Sequence, residues 1–428
     1  MTQTVGFIGL GKLGLPCALA MESRGLQIVG YDVDPAVAGY VRDKRIPYLE
    51  RHVDALLAHT QLRVVPDVAT VVAQADVVFV TVQTPHRPEF EGRTPIPDDR
   101  EDFEYGYLVS ACRAVAAAAA QQQRHITLVV VSTVLPGTVG RHIRPLLGTY
   151  VCLIYNPFFI AMGTTVDDFL NPEFVLLGAD RHEEDDAVGR LYRQIHDKPL
   201  VRTSIESAEL IKVSYNTYIS LKIVWANTMM EICEKTGADV DVVTDTLAQA
   251  TDRIISARYM RGGMGDSGGC HPRDNIAMSW LGRRLDLSFD LFETVMTARE
   301  QQTHFLARIV QKWQRLSGLD VCLMGTTYKP ETNLELGSAA LLLAHILDAD
   351  YGVRVQTCDP FARTDLAIAA ALSQPRVFFI GTRHEVWQRT VWPTGAVVID
   401  PWGYIPDAPG VVVIRIGRKG ALPAVSAL

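Results

Sequence analysis

With 428 residues, the chain is too long for one hydrophobic core and is expected to divide into two or three domains. Its 48% hydrophobic and 21% charged residues are those of an ordinary globular protein. A net charge of −7 gives no bulk basicity, which argues against nucleic acid or an anionic membrane as partner. Any phosphate-bearing ligand must then be held by a few local donors.

The start of the chain reads as domain structure rather than a signal peptide, because a strand and a glycine turn follow Met1 within a few residues. Apolar runs such as ITLVVVSTVLPG are too short to span a membrane. The 7 cysteines are scattered, without C-x-x-C spacing, which suits a reducing cytoplasm. Most sit in apolar strings and read as small buried hydrophobes.

The run TVGFI (4–8) is a short strand that ends in the turn GLGKLG. The helical pattern LPCALAMESRG and a second strand, LQIVGYD, complete a βαβ unit of about thirty residues. Strands at ADVVFVTV, HITLVVVST, VCLIYN and FVLLG follow, separated by helical stretches such as LVSACRAVAAAAAQQ. Strands alternating with helices predict a parallel, doubly wound sheet up to about residue 200.

In the turn, Gly9 permits the tight bend, Gly11 lets backbone amides approach a diphosphate, and Gly14 allows close helix–strand packing. The following helix N-terminus supplies free N–H groups. Asp32 ends the second strand, where an acid accepts from ribose hydroxyls and repels a ribose phosphate, so the cofactor is expected to be NAD rather than NADP. Thr84-Pro85 closes another strand at the ligand-facing edge, although such a pair on its own is an ordinary strand terminator.

From Ser204 the texture becomes helical. Lys212, Asn216, Ser220 and Asn227 share one face of a long predicted helix. That stripe either lines a cleft or faces solvent. A second helical block covers roughly 290–316, and the glycine-rich loop GMGDSGGCHPRD lies between the two. Its Cys270 is either a nucleophile favoured as thiolate by nearby cations, with Lys212 stabilising an oxyanion, or a plain loop thiol. His271 reads as structural.

Strand–helix alternation returns after Gly318. The expected fold class is α/β: an N-terminal Rossmann-type domain (1–203), a central helical domain (204–317) and a C-terminal Rossmann-like α/β domain (318–428).

GFIGLGKLGLP, STVLPGT (132–138), AELIKVSYN (208–216), GGCHPRD (268–274), GTTYKPET (325–332) and VVIDPWG, in that order, resemble the UDP-glucose/GDP-mannose dehydrogenase family over nearly the whole chain. The resemblance implies two successive NAD-dependent oxidations of a sugar primary alcohol to a carboxylate, through a thiohemiacetal and a thioester on Cys270. It implies oxyanion stabilisation by Lys212 and Asn216, and water and proton handling by Asp274 and Thr133. On the cofactor side it implies Gly9, Gly11, Lys12, Leu13, Gly14, Asp32, Thr84, Thr133 and Lys329. On the nucleotide-sugar side it implies Phe158, Lys212, Asn216, Arg253, Tyr259, Gly263, Gly265, Tyr328 and Lys329. A homodimer built through the long helix, and no metal, complete that expectation.

Three departures stand out. The family's N-P-E-F-L-x-E-G box is NPFFIAMG (156–163) here, with Phe158 and Met162 in place of both glutamates. A phenyl ring cannot accept a proton, and general-base help is worth ~10²–10⁴ in rate, so the last hydrolysis could stall. Asp167, Asp168 and Glu173 lie nearby. Leu334 stands for an acid, and Leu336 for an arginine that holds the nucleotide, a contact of ~1.5–3 kcal/mol. Arg273 replaces a lysine.

Two rivals remain: a two-electron β-hydroxyacid-type dehydrogenase with no need of the thiol, and a catalytically silent NAD-binding homologue. The domain after Gly318 argues against the first, and the retained thiol set against the second.

Overall fold

The computed structural model describes residues 4–85, 102–180, 186–256, 262–267 and 270–418. Of Asp186, Cys270, His271, Arg273, Asp274 and Ala277 it describes only the backbone. The chain divides into two compact units, Met1–Leu221 and Lys222–Leu428, and the division falls inside the helix Ile205–Thr236. Among the described residues no helix is long and apolar enough to cross a membrane.

The first unit is built on eight strands: β1 (Thr4–Ile8), β2 (Gln27–Tyr31), β3 (Arg63–Val64), β4 (Val77–Val80), β5 (Ile126–Val130), β6 (Val151–Tyr155), β7 (Val175–Gly178) and β8 (Leu200–Thr203). Their order is β3-β2-β1-β4-β5-β6-β7-β8. Every residue of β4 is fully buried, because side chains alternate between two covered faces. Val77 and Phe79 join the core containing Leu15 and Leu19 of the helix Gly14–Glu22. Val78 and Val80 join the core containing Leu108, Cys112 and Val115 of the helix Gly106–Gln121. The strand order reverses beside β1, so the glycine turn after β1 and the loop after β4 flank one crevice at the carboxyl edge.

One pairing departs from the expected parallel sheet. β6 and β7 are antiparallel, paired through Tyr155 and Gly178. Their connection, 156–174, holds only the six-residue helix Thr165–Leu170. At ~1.5 Å per residue that helix spans about 9 Å, too little for a parallel crossover. The NPFFIAMG segment therefore stays at the carboxyl edge.

The second unit contains a five-stranded parallel sheet of β9 (Val321–Met324), β10 (Val355–Cys358), β11 (Val377–Ile380), β12 (Val397–Asp400) and β13 (Val412–Arg415), in the order β10-β9-β11-β12-β13. Leu306, Val310 and Trp313 of the helix Leu291–Ser317 and Leu343 and Leu347 of the helix Ala339–Tyr351 cover one face. Cys322, Phe378 and Trp387 fill the other.

Cys270 corrects the sequence reading of a bare loop: it is the first residue of a helix, Cys270–Arg284. Pro272 and the preceding glycines suggested a loop, but proline is tolerated in a first helical turn, where its missing N–H has no intrahelical partner to lose.

Candidate active site

The glycine turn is fastened by the residue expected to meet the ribose. Asp32 Oδ2 accepts from Leu10 N–H at 2.6 Å and Oδ1 accepts from Asp34 N–H at 2.9 Å. Each oxygen keeps a second lone pair for a ribose hydroxyl. Gly9 has φ +96°, a left-handed value costly to any side chain. A Cβ on Gly14 would lie 2.1 Å from the Gly9 carbonyl, whereas one on Gly11 would meet nothing within 4 Å. Gly14 thus serves packing and Gly11 leaves backbone open to a diphosphate. Lys12 is exposed and Leu13 half-buried beside it. These residues fit a dinucleotide, which when bound supplies a hydride acceptor.

Thr84 and Thr133, on the loops after the adjacent strands β4 and β5, come together: Thr84 Oγ1 donates to the Thr133 carbonyl at 2.8 Å. Behind them lies a residue to which sequence reasoning gave no role. Glu209, on the first turns of the long helix, is fully buried and accepts from the N–H groups of Gly137 and Val139. Burial pushes its carboxyl pKa up, against the lowering effect of those two amides. The signal was present in AELIKVSYN, but its partners stand about seventy residues away. Glu209→Ala leaves two N–H groups unpaired and is expected to cost about 2–4 kcal/mol. A drop in thermal midpoint checks this, and Glu209→Gln should recover part of the loss.

Lys212 lies one turn further along the same helix, only 8% exposed. Its Nζ donates to the Phe158 carbonyl at 2.7 Å and sits 5.0 Å from the Phe159 ring centroid. Of three ammonium N–H bonds, one is committed and two remain for a ligand. Burial lowers its pKa from the ordinary 10.5. A lysine acting as ammonium loses its proton as pH rises through the lowered value, so the alkaline limb of kcat should lie below the usual lysine range. A pH–rate profile measures this, and Lys212→Arg should abolish the limb. Over the same window the unfolded chain binds the extra proton, so this group's contribution to stability rises with pH.

The rest of the polar stripe is not buried. Asn216, Ser220 and Asn227 are exposed, so of the four only Lys212 is enclosed.

Phe158 offers Lys212 its carbonyl, not its ring. The ring is 8% exposed and belongs to the first unit's core, 6.4 Å from Phe79 and 5.3 Å, edge-on, from Phe169. Met162 is 62% exposed. A small cleft is lined by Asn156, Phe158, Phe159, Asp168, Phe169 and Tyr192, among others. Of the nearby carboxylates, Asp168 lines this cleft, accepting from Ala161 N–H and Thr164 Oγ1 at 2.9 Å. Asp167 instead pairs with Arg51 and His52, and Glu173 is exposed.

In the second unit, Tyr328 and Lys329 sit on the loop after β9, which the Tyr328 N–H bond to the Leu334 carbonyl closes at 2.9 Å. Leu334 and Leu336 are exposed there, at 57% and 79%. The buried Asp359 anchors this loop, accepting from the Thr326 and Thr327 amides and from His384 Nε2 at 3.1 Å. Burial alone would raise its carboxyl pKa, but His384 and the backbone donors hold it far below the usual range. Arg253 is exposed, and Gly263 and Gly265 are half-buried. Tyr259 and the side chains of Cys270 and Asp274 lie outside the described residues.

Two family models match the chain: the NAD binding domain of the UDP-glucose/GDP-mannose dehydrogenase family over residues 3–196, and the central domain of the same family over 206–301. The chain belongs to the UDP-glucose/GDP-mannose dehydrogenase family. It is an NAD-dependent oxidoreductase. The GDP-mannose 6-dehydrogenase of Pseudomonas putida is 28% identical over 341 residues, 77% of this chain and 74% of the relative. The UDP-glucose 6-dehydrogenase of Rhizobium meliloti is 28% identical over 371 residues, 83% and 81% of the two chains. A crystal structure of a ternary complex of GDP-mannose dehydrogenase from Pseudomonas aeruginosa shares the fold, with a TM-score of 0.83, 24% identity, and coverage of 96% of this chain and 99% of that one.

Proposed function

We propose that this chain oxidises the primary alcohol of a nucleotide sugar to the carboxylate in two successive steps, each delivering one hydride to NAD. After the first oxidation the Cys270 thiolate adds to the aldehyde carbon, giving a thiohemiacetal. Loss of the second hydride leaves a thioester, and water releases the carboxylate and restores the thiol. Lys212 and Asn216 stabilise the oxyanions, while Asp274 and Thr133 order water and protons. The observation that carries this reading is Lys212: a lysine held almost wholly buried with two free N–H bonds, in the unit that carries the dinucleotide turn, is built to meet a developing oxyanion. The backbone of Cys270 opens a helix, where unpaired N–H groups favour a nearby anion, which supports the nucleophile reading.

A second reading has its own observation. With Phe158 folded into the core, the carboxylate expected to assist hydrolysis is absent, so the reaction stops at the aldehyde or at a long-lived thioester. One experiment separates the two. A panel of nucleotide sugars is turned over with NAD, NADH per substrate is counted, and the mass of Cys270 is read afterwards. Two NADH and a free thiol support the full cycle. One NADH with released aldehyde, or a persistent adduct, supports the shorter one. No turnover on any member of the panel, with NAD still bound, revives the silent homologue.

The same reading makes the protein a cytoplasmic homodimer. Exposed Tyr218, Leu221, Ile223, Trp225 and Met230 on the long helix support a second copy as their cover. Sedimentation velocity of the intact protein tests it, and a monomer at working concentration would end it.

A further inference from the structure

The segment 262–267, which leads into Cys270, is gripped from several sides within its own unit. Arg418 donates to the Gly262 carbonyl at 3.3 Å and to the Pro401 and Ile416 carbonyls at 2.9 and 3.0 Å. A Cβ on Gly263 would lie 2.3 Å from carbons of the Trp402 ring, so the backbone lies against the indole. Met264 packs on the core formed with the helix Leu291–Ser317. Asp266 Oδ1 accepts from Arg299 Nε, a pair in which the arginine side chain is only 15% exposed. Ser267 Oγ accepts from the Ala339 N–H at 3.2 Å.

Trp402 is itself fixed. Its Nε1–H donates to the Ile380 carbonyl at 3.1 Å and its backbone N–H to Asp400 Oδ1 at 2.9 Å. Asp400 is fully buried and also accepts from the N–H groups of Gly403, Tyr404 and Ile405 at 2.7–2.8 Å. One carboxylate thus folds the whole DPWG turn after β12. The turn presents a flat ring to the one position in this segment where a side chain would collide with it. A side chain at 263 would have to displace that ring.

We infer that Trp402, together with the Arg299–Asp266 pair, positions the strand of chain that delivers Cys270 to its substrate. These are positioning residues acting through the thiol, and the inference rests on the reading of Cys270 as nucleophile. A misplacement of about 1 Å at a reacting atom costs roughly 10²-fold in rate. Gly263→Ala should therefore lower kcat by about that factor, slow the alkylation of Cys270 by iodoacetamide and shift its pH midpoint, while KM for NAD stays unchanged. Adding Trp402→Leu opens room for the methyl group and should restore part of both rates.

Asp266→Asn keeps the shape but removes the charge and should move the same readouts in the same direction. If Gly263→Ala does not fold, Asp266→Asn decides. Wild-type kcat and alkylation in either folded variant would overturn the inference, as would failure of the Trp402→Leu suppressor. If Cys270→Ala keeps full turnover, the nucleophile reading falls separately. Alkylation of the wild-type thiol against the two variants still scores the positioning.

Discussion

Cys270→Ala should reduce carboxylate formation at least ~10³-fold, a loss on the scale of removing a nucleophile from a covalent mechanism. The decisive measurement separates the two oxidations. The first needs no bond to sulfur, so the alanine variant should still reduce up to one NAD per substrate, slowly, and release aldehyde. A thiol-independent hydroxyacid-type dehydrogenase would instead keep its full rate. NADH stoichiometry with trapping of aldehyde distinguishes these outcomes directly, and full carboxylate production by Cys270→Ala would remove the proposed mechanism.

Phe158→Glu should be strongly destabilising and should not supply the general base that the sequence reading expects at this position. The wild-type ring lies within the Phe79–Phe169 cluster, 8% exposed. Removing an aromatic side chain from such a site costs about 3–5 kcal/mol before any burial of a carboxyl is counted. A carboxyl group there would be held neutral by its apolar surroundings rather than act as an anion. Against a typical stability of ~5–15 kcal/mol this is a large fraction, visible as a lower urea midpoint of the first unfolding transition. A stable glutamate variant with faster release of carboxylate would show that an ionised carboxylate is tolerated at 158, contrary to this expectation.

The parts of the fold that could be read from sequence are those whose signal is local. GLGKLG between TVGFI and LPCALA specifies a strand, a turn and a helix within about twenty residues, and the structure has them there. The unbroken helical spacing after Ser204 likewise gives the helix Ile205–Thr236. What escaped depends on distance. The two-residue β3 has no pattern of its own and exists because β2 offers it a partner. The β6–β7 inversion follows from the length of a connection, not from either strand. The helix beginning at Cys270 was hidden by Pro272 and the glycines before it.

The candidate site divides the same way. Gly9, Gly14 and Asp32 carry their reasons within one βαβ unit. Glu209 works through amides 70 or more positions away, and Trp402 presents its own ring to the distant Gly263, so their types alone announced nothing. Phe158 shows a further limit. Its identity showed only that it cannot act as a base, and packing showed that its ring belongs to the core.

The reversal of direction between β6 and β7 has an evolutionary consequence. The nineteen positions from Asn156 to Phe174 leave and rejoin the sheet on the same rim, so few ladder registers constrain what they carry. Residues on the exposed side of this segment, such as Met162, can change while the eight strands need no re-pairing. Such a rim segment lets a lineage retune the outcome of its chemistry while inheriting its scaffold unchanged.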